Sequence, residues 1–260
     1  MITSKDNPRV KRWARLVQDA RLRRKERRAL VEGPHLVALA EPLVLLASES
    51  GLKRKEIQKV LAGREAVVLP DKVFRAIVDA ESPQGIAAEI EIPKSAPLAA
   101  PAVFLEGVQD PGNVGTILRS AAAFGVKAAV LDRACADPWS PKVLRAGMGA
   151  HFALSIEETE DLPGRIGKFR CPVLCAVPRG GVNLAEANLS EPVGWVFASE
   201  GAGVSEQLRK LAAQEVTIPM AASAESINVA AAAAICFYAA YCCGSPPWRG
   251  GSELASGGCR

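Results

Sequence analysis

Apolar residues in this chain come in short runs, each closed by a polar or glycine-rich turn. In the first third the pattern predicts a small α/β unit. Ala29 to Val31 reads as a short strand ending at Glu32-Gly33, with a helix beginning at His35 after Gly33-Pro34. Pro42 to Ala47 reads as a buried strand, Lys53 to Leu61 as a helix and Ala66 to Leu69 as another strand. Asp71 to Val78 follows as a helix with Asp71 as its cap, and Gly85 to Ile92 as the closing strand. Ahead of this unit, Trp13, Leu16 and Val17 are spaced as one face of a helix. Pro93 to Pro101, rich in Pro and Ala, reads as a linker. Beyond it, Ala102 to Leu105, Pro172 to Val177 and Gly194 to Ala198 are apolar runs of the kind found in strands buried on both faces. Val229 to Cys243 is a long alanine-rich helix, and the Gly/Ser-rich stretch 244–260 predicts a disordered tail.

Three strand-to-turn junctions carry the candidate chemistry. DPGNVGTILRSAAAFG, Asp110 to Gly125, follows the Ala102 strand and sets Asn113 at the turn with Arg119 inside the helix. FASEGAGVS, Phe197 to Ser205, leaves the Gly194 strand with Glu200, and a helix is expected from Val204 to Leu211. IPMAASAESINVAAAAA, Ile218 to Ala234, brings Ser226 and Asn228 to the start of the last helix. Small residues let a ligand approach the backbone, and the few polar groups orient it. Taken singly, Asn113 is a turn residue, Arg119 a surface charge, Glu200 a cap for the following helix, and Ser226 with Asn228 a capping pair. Their occurrence together, in order, points to a cofactor cleft at the carboxyl ends of parallel strands.

These segments resemble motifs one, two and three of the SpoU class of RNA ribose 2′-O-methyltransferases, in the SPOUT superfamily. The resemblance covers Ala102 to Cys243, with a weaker likeness in the N-terminal part, including the SPQG at Ser82 to Gly85. It implies an α/β fold: a C-terminal parallel-sheet domain threaded into a trefoil knot, preceded by a small α/β RNA-binding domain. The implied organisation is a substrate-binding domain over 1–92, a linker over 93–101, the methyltransferase domain over 102–243 and the tail over 244–260. The implied cofactor is S-adenosylmethionine, bound in the knot, and the implied assembly is a homodimer. By position Asn113, Arg119, Glu200, Ser226 and Asn228 match the family's catalytic-site residues. Ala198, Gly201, Ile218, Met220, Ser226 and Asn228 then border the cofactor. Arg145, in KVLRAGMGAHF, matches a basic position common in the family, whereas His151 reads as a structural residue packed beside Phe152. Ala198 stands where the family usually has glycine, and Ala221 to Glu225 is alanine-rich where a glycine is common.

Composition narrows the picture further. An apolar fraction of 49% supports a sizeable core. Residues 1–92 hold 18 Lys and Arg against 13 Asp and Glu, while the remainder hold 14 against 15. The excess gathers between Asn7 and Gly33, where Arg9, Arg12, Arg15, Arg23 and Arg24 lie around the predicted helix. The functional reading is an RNA-backbone contact and the plainer one a solvated basic face. Seven cysteines (Cys135, Cys171, Cys175, Cys236, Cys242, Cys243 and Cys259) show no paired zinc spacing, and no metal is expected. No secretory signal opens the chain, and Val229 to Cys243 falls short of the roughly 20 apolar residues that span a bilayer, so a cytoplasmic location is expected.

Methyl transfer from a sulfonium needs alignment of a 2′-hydroxyl more than covalent catalysis. The resemblance gives the proton problem to Arg119, a side chain that holds its own proton tightly. Arg119 either loses that proton in an unusual field or binds phosphate and orients the hydroxyl while another group takes the proton. Glu200 is then expected to pair with Arg119 or Asn113, with Ser226 and Asn228 anchoring the methionine end or positioning Arg119. The fused N-terminal domain favours ribosomal RNA over transfer RNA, and an antibiotic-resistance methylase has the same architecture. The alternatives are a tRNA 2′-O-methyltransferase and a non-catalytic RNA-binding protein of the same fold. A nucleotide-dependent oxidoreductase is disfavoured because GNVG lacks the GxGxxG spacing.

Overall fold

A computed structural model describes residues 2–243; the predicted tail and Cys259 lie outside the described residues. The basic segment forms two helices, α1 (Pro8–Gln18) and α2 (Ala20–Glu26). Asp19 divides them: it ends α1 in an extended conformation, and its carboxylate accepts the N–H groups of Arg21 (2.9 Å) and Leu22 (3.1 Å), capping α2. Val10, Trp13 and Leu16 are buried on the inner face of α1.

A four-stranded sheet follows, built from β1 (Arg28–Glu32), β2 (Pro42–Ser48), β3 (Val67–Leu69) and β4 (Ile86–Glu91) in the order β1-β4-β2-β3. Helices α3 (Pro34–Leu39), α4 (Lys55–Leu61) and α5 (Asp71–Phe74) connect the strands. All four predicted strands are present. The helix expected from Lys53 begins at Lys55, after a 3-10 turn over Gly51–Lys53. That turn presses its backbone on Gly85: a Cβ on Gly51 would lie 2.3 Å from the Gly85 carbonyl oxygen. The helix expected over Asp71 to Val78 is shorter, and Asp71 does not cap it. Its carboxylate accepts instead from the backbone N–H (3.1 Å) and hydroxyl (2.7 Å) of Ser50.

The second unit holds seven parallel strands: β5 (Ala102–Glu106), β6 (Ala128–Asp132), β7 (Ser155–Thr159), β8 (Val173–Ala176), β9 (Val182–Asn183), β10 (Gly194–Ala198) and β11 (Gln214–Thr217). Their order is β7-β6-β5-β10-β8-β11-β9, so the winding reverses between β5 and β10. One face packs Val103, Leu105, Trp195 and Phe197 against α6 (Pro111–Ala123), α7 (Pro141–Gly147) and α10 (Val229–Cys243). The other packs Phe104, Val130 and Val196 against α8 (Leu162–Gly167) and α9 (Glu206–Leu211). Covered on both faces, the central strands are apolar at almost every position, as the sequence pattern requires. Strands β6 and β7 carry no turn motif, and the apolar-run reading did not single them out. Reversal points of this kind leave a crevice at the carboxyl ends of the strands.

Candidate active site

The first motif is held rigidly before it reaches its functional residues. Beyond β5, Gly107 adopts φ +62°, a conformation that favours glycine, and donates its N–H to Asp132 at 3.0 Å. The Cys135 thiol accepts from Val108 N–H (3.3 Å) and donates to the Leu105 carbonyl (3.4 Å); burial raises its pKa, so it stays protonated. Asp110 then caps α6, accepting from Asn113 N–H at 2.8 Å, with Pro111 at the first helical position. This fixes where Asn113 and Arg119 leave the helix.

Asn113, Glu200 and Asn228 converge. The Asn228 Nδ2 donates to Asn113 Oδ1 (2.9 Å) and to Glu200 Oε1 (3.1 Å), and Glu200 Oε1 also accepts from Val229 N–H (3.1 Å). Asn228 Oδ1 in turn accepts from Ala230 N–H (2.9 Å) and Ala231 N–H (3.3 Å), capping α10. Two expectations change here. Glu200 pairs with neither Arg119 nor Asn113 but with Asn228, and it caps the start of α10, whereas α9 is capped by Ser205. Asn228 positions Asn113 rather than Arg119, whose side chain is exposed with no polar partner among the described residues.

Beside this triad lies a cleft between the ends of β8, β10 and β11 and the start of α10. Ala198, Ile218, Met220 and Ser226, four of the six residues expected to border the cofactor, line it together with Glu200, whereas Asn228 is not among the lining residues. Gly201 does not line it either: a Cβ built on it would meet nothing within 4 Å, and Gly203 and Val204 form that wall instead. The walls are mainly apolar, with Val177, Pro178 and Ile218, and Glu200, Ser199 and Ser226 add polar groups. A mainly apolar cleft with a few polar groups suits S-adenosylmethionine, whose adenine is flat and whose methionine end is charged. A larger cavity, lined by Phe124, Trp195, Phe237 and Tyr241, sits at the amino ends of the strands and is lined by none of Asn113, Arg119, Glu200, Ser226 and Asn228.

A family model described as the SpoU rRNA Methylase family matches residues 100–238. The chain belongs to the SpoU family. A second model, described as an MRM3-like substrate binding domain, matches residues 7–88. An uncharacterized tRNA/rRNA methyltransferase of Synechocystis is 34% identical, covering 92% of each protein. The 23S rRNA (guanosine(2553)-2′-O)-methyltransferase RlmP of Bacillus subtilis is 33% identical over 91% of this chain and 97% of the relative. The solved structure of the SpoU methyltransferase AviRb from Streptomyces viridochromogenes, in complex with AdoMet, superposes with a TM-score of 0.82 at 25% identity. That superposition covers 90% of this chain and 97% of AviRb.

The basic residues around the SpoU site divide into two groups. Arg9 is exposed and stacks over Trp13 at 5.0 Å, and Arg15 is exposed with a weak contact to Asp19 at 3.7 Å. Arg12, by contrast, is clamped between Glu26 and Glu89. Burial works to raise the Glu89 carboxyl, yet hydrogen bonds from Arg12 and Trp13 hold it below its usual value. Arg23 is 3% exposed and binds Asp137 together with the carbonyls of Leu16 and Val17. Arg24 binds Glu158, and Arg145 binds Asp79 at 2.6 Å. Three of these guanidiniums thus join the small domain to the SpoU domain, a use that charge counting does not reveal. Among the described residues no His, Cys, Asp or Glu cluster is arranged to hold a metal ion, and no helix is long and apolar enough to cross a membrane. His151 is buried, its Nε2–H donating to the Pro138 carbonyl at 2.7 Å, and burial lowers its pKa to about 4.

Proposed function

We propose that this chain transfers a methyl group from S-adenosylmethionine to a ribose 2′-hydroxyl in RNA, with ribosomal RNA as the substrate class. The observation that carries the reading is the joining of Asn113, Glu200 and Asn228, one from each motif, at the mouth of the apolar cleft. The rRNA 2′-O-methyltransferase activity of RlmP and the AdoMet bound to AviRb support the same reaction and cofactor.

Bound in the cleft, the cofactor supplies a methyl group already activated on a sulfonium. Ile218, Met220, Ala198 and the 203–204 wall would hold the apolar parts of the cofactor, and Ser226 would offer a hydroxyl to its polar groups. Glu200 and Asn228 fix the start of α10, and Asn228 holds Asn113 beside them. Arg119, charged and unengaged by protein, meets the RNA backbone and orients the hydroxyl in line with the methyl group. Arg9 and Arg15 add phosphate contacts, whereas Arg23, Arg24 and Arg145 hold the two domains together and Arg12 is tied within the small domain.

The remaining parts of the reading are the domain limits 1–92, 93–101 and 102–243, a trefoil knot and a homodimer. Support for the knot is the contact of the third-motif segment with the Glu200 loop, where Asn228 Nδ2 and Val229 N–H both donate to Glu200 Oε1. Support for the dimer is the exposed apolar pair Ile235 and Tyr238 on α10, 41% and 57% accessible and adjacent to α6. Calorimetric titration of S-adenosylmethionine into the purified protein, with NADH as control, tests the reading. Binding of the methyl donor alone is expected; no binding to folded, RNA-free protein would leave a non-catalytic RNA-binding protein of this fold.

A further inference from the structure

The loop Ser199–Val204 forms one wall of the cleft and carries Glu200, yet no regular element supports it. It begins and ends on a single residue. The backbone carbonyl of Glu106 accepts from Ser199 N–H at 3.1 Å, and the Glu106 carboxylate accepts from Ser205 N–H at 2.8 Å. Within the loop, Gly203 N–H bonds back to the Ser199 carbonyl at 2.9 Å, so the turn is closed on itself as well as on β5. Glu106 stands at the last position of β5, paired in register with Ala198 of β10, and its side chain is half-buried. It does not line the cleft.

We infer that Glu106 is a positioning residue for the methyl-donor site, acting as a two-point clasp on the second motif's loop. The inference rests on the proposed methyltransferase reading for what occupies the cleft. The physical argument is about reach. A carboxylate accepting a backbone N–H makes a stronger bond than a neutral pair, and here it anchors the far end of a loop whose near end is the sheet itself. With both ends fixed, Glu200 reaches Asn228 and Val229 N–H without a search, and Gly203 and Val204 stay against the donor. Released at Ser205, the loop must be ordered at the moment of binding, and that cost falls on donor affinity.

Three variants separate this role from simple structural support. Glu106→Ala should raise the KM for S-adenosylmethionine about tenfold with kcat at saturation little changed, since no reacting group is removed. Glu106→Gln, which keeps an acceptor oxygen, should restore most of the affinity. Ser205 has φ −61°, the value a proline ring imposes, so Ser205→Pro removes the donor N–H without forcing the backbone. It should match Glu106→Ala, and the double variant should be no worse than either single one. Ser205→Ala controls for the hydroxyl cap of α9. Amide exchange at Ser205 in the ligand-free protein should accelerate in Glu106→Ala, a readout that does not depend on any cofactor. Unchanged exchange and KM, additive single effects, or a Gln variant as impaired as Ala would each overturn the clasp. Wild-type protein that protects Ser205 but binds no methyl donor would instead sink the functional reading alone.

Discussion

Arg119 and Asn113 share a helix but not a neighbourhood: Asn113 is tied to Asn228, while Arg119 faces solvent alone among the described side chains. That difference predicts different phenotypes. Arg119→Ala should abolish methyl transfer while the calorimetric affinity for S-adenosylmethionine stays within about twofold, because Arg119 is not among the residues that line the cleft. Lost donor affinity would make it a structural residue. The polar members of the triad were readable in the sequence because each stands alone among glycines and alanines at the end of an apolar run. Their bonding was not, since Glu200 stands close ahead of α9 in the sequence, while the helix start it caps, Val229, lies 29 positions away. Glu106 was invisible for a related reason. Its partner Ser205 lies 99 positions away, and a lone carboxylate at a strand end reads as an ordinary polar terminus.

Helix α6 owes its position to one missing side chain. A Cβ on Gly115 would come 2.4 Å from Ala146 Cβ and 2.7 Å from the Val143 carbonyl oxygen, so α6 and α7 touch through backbone. Gly115→Ala should therefore push the helices apart, costing roughly 1–3 kcal/mol of stability and weakening donor binding as Asn113 moves. Thermal unfolding and calorimetry on the same sample check both effects; an unaltered melting temperature would refute the close packing. The glycine itself was legible in GNVG, but its purpose was not: beside Asn113 it reads as part of a ligand turn, whereas the structure uses it for helix contact. Propensity likewise fixes α10 and α6 well and places the start of α4 poorly, because the 3-10 turn ahead of it packs on Gly85 from a distant loop.

Across the whole molecule, the most basic segment is as much a fastening as a binding surface. Arg23 and Asp137 are both nearly inaccessible, so Arg23→Ala leaves a buried carboxylate without its cation, and denaturant unfolding should show a loss of about 3–5 kcal/mol. Arg9→Ala, at an exposed site, should stay within about 0.5 kcal/mol of wild type. The second global prediction concerns acid. His151 titrates near 4 when folded and near 6.5 when unfolded, so the unfolded chain takes up the extra proton between these values. Stability should then fall as pH drops from about 6.5 toward 4, by about 3 kcal/mol in all, and His151→Gln should flatten that part of the curve. The bond between Asn113 and Asn228 spans 115 positions and has one further consequence. During synthesis the small domain and most of the parallel sheet emerge before the third motif does. No nascent or prematurely terminated chain ending short of Val229 can assemble even a weak version of the site, so activity is all-or-none with respect to completed translation.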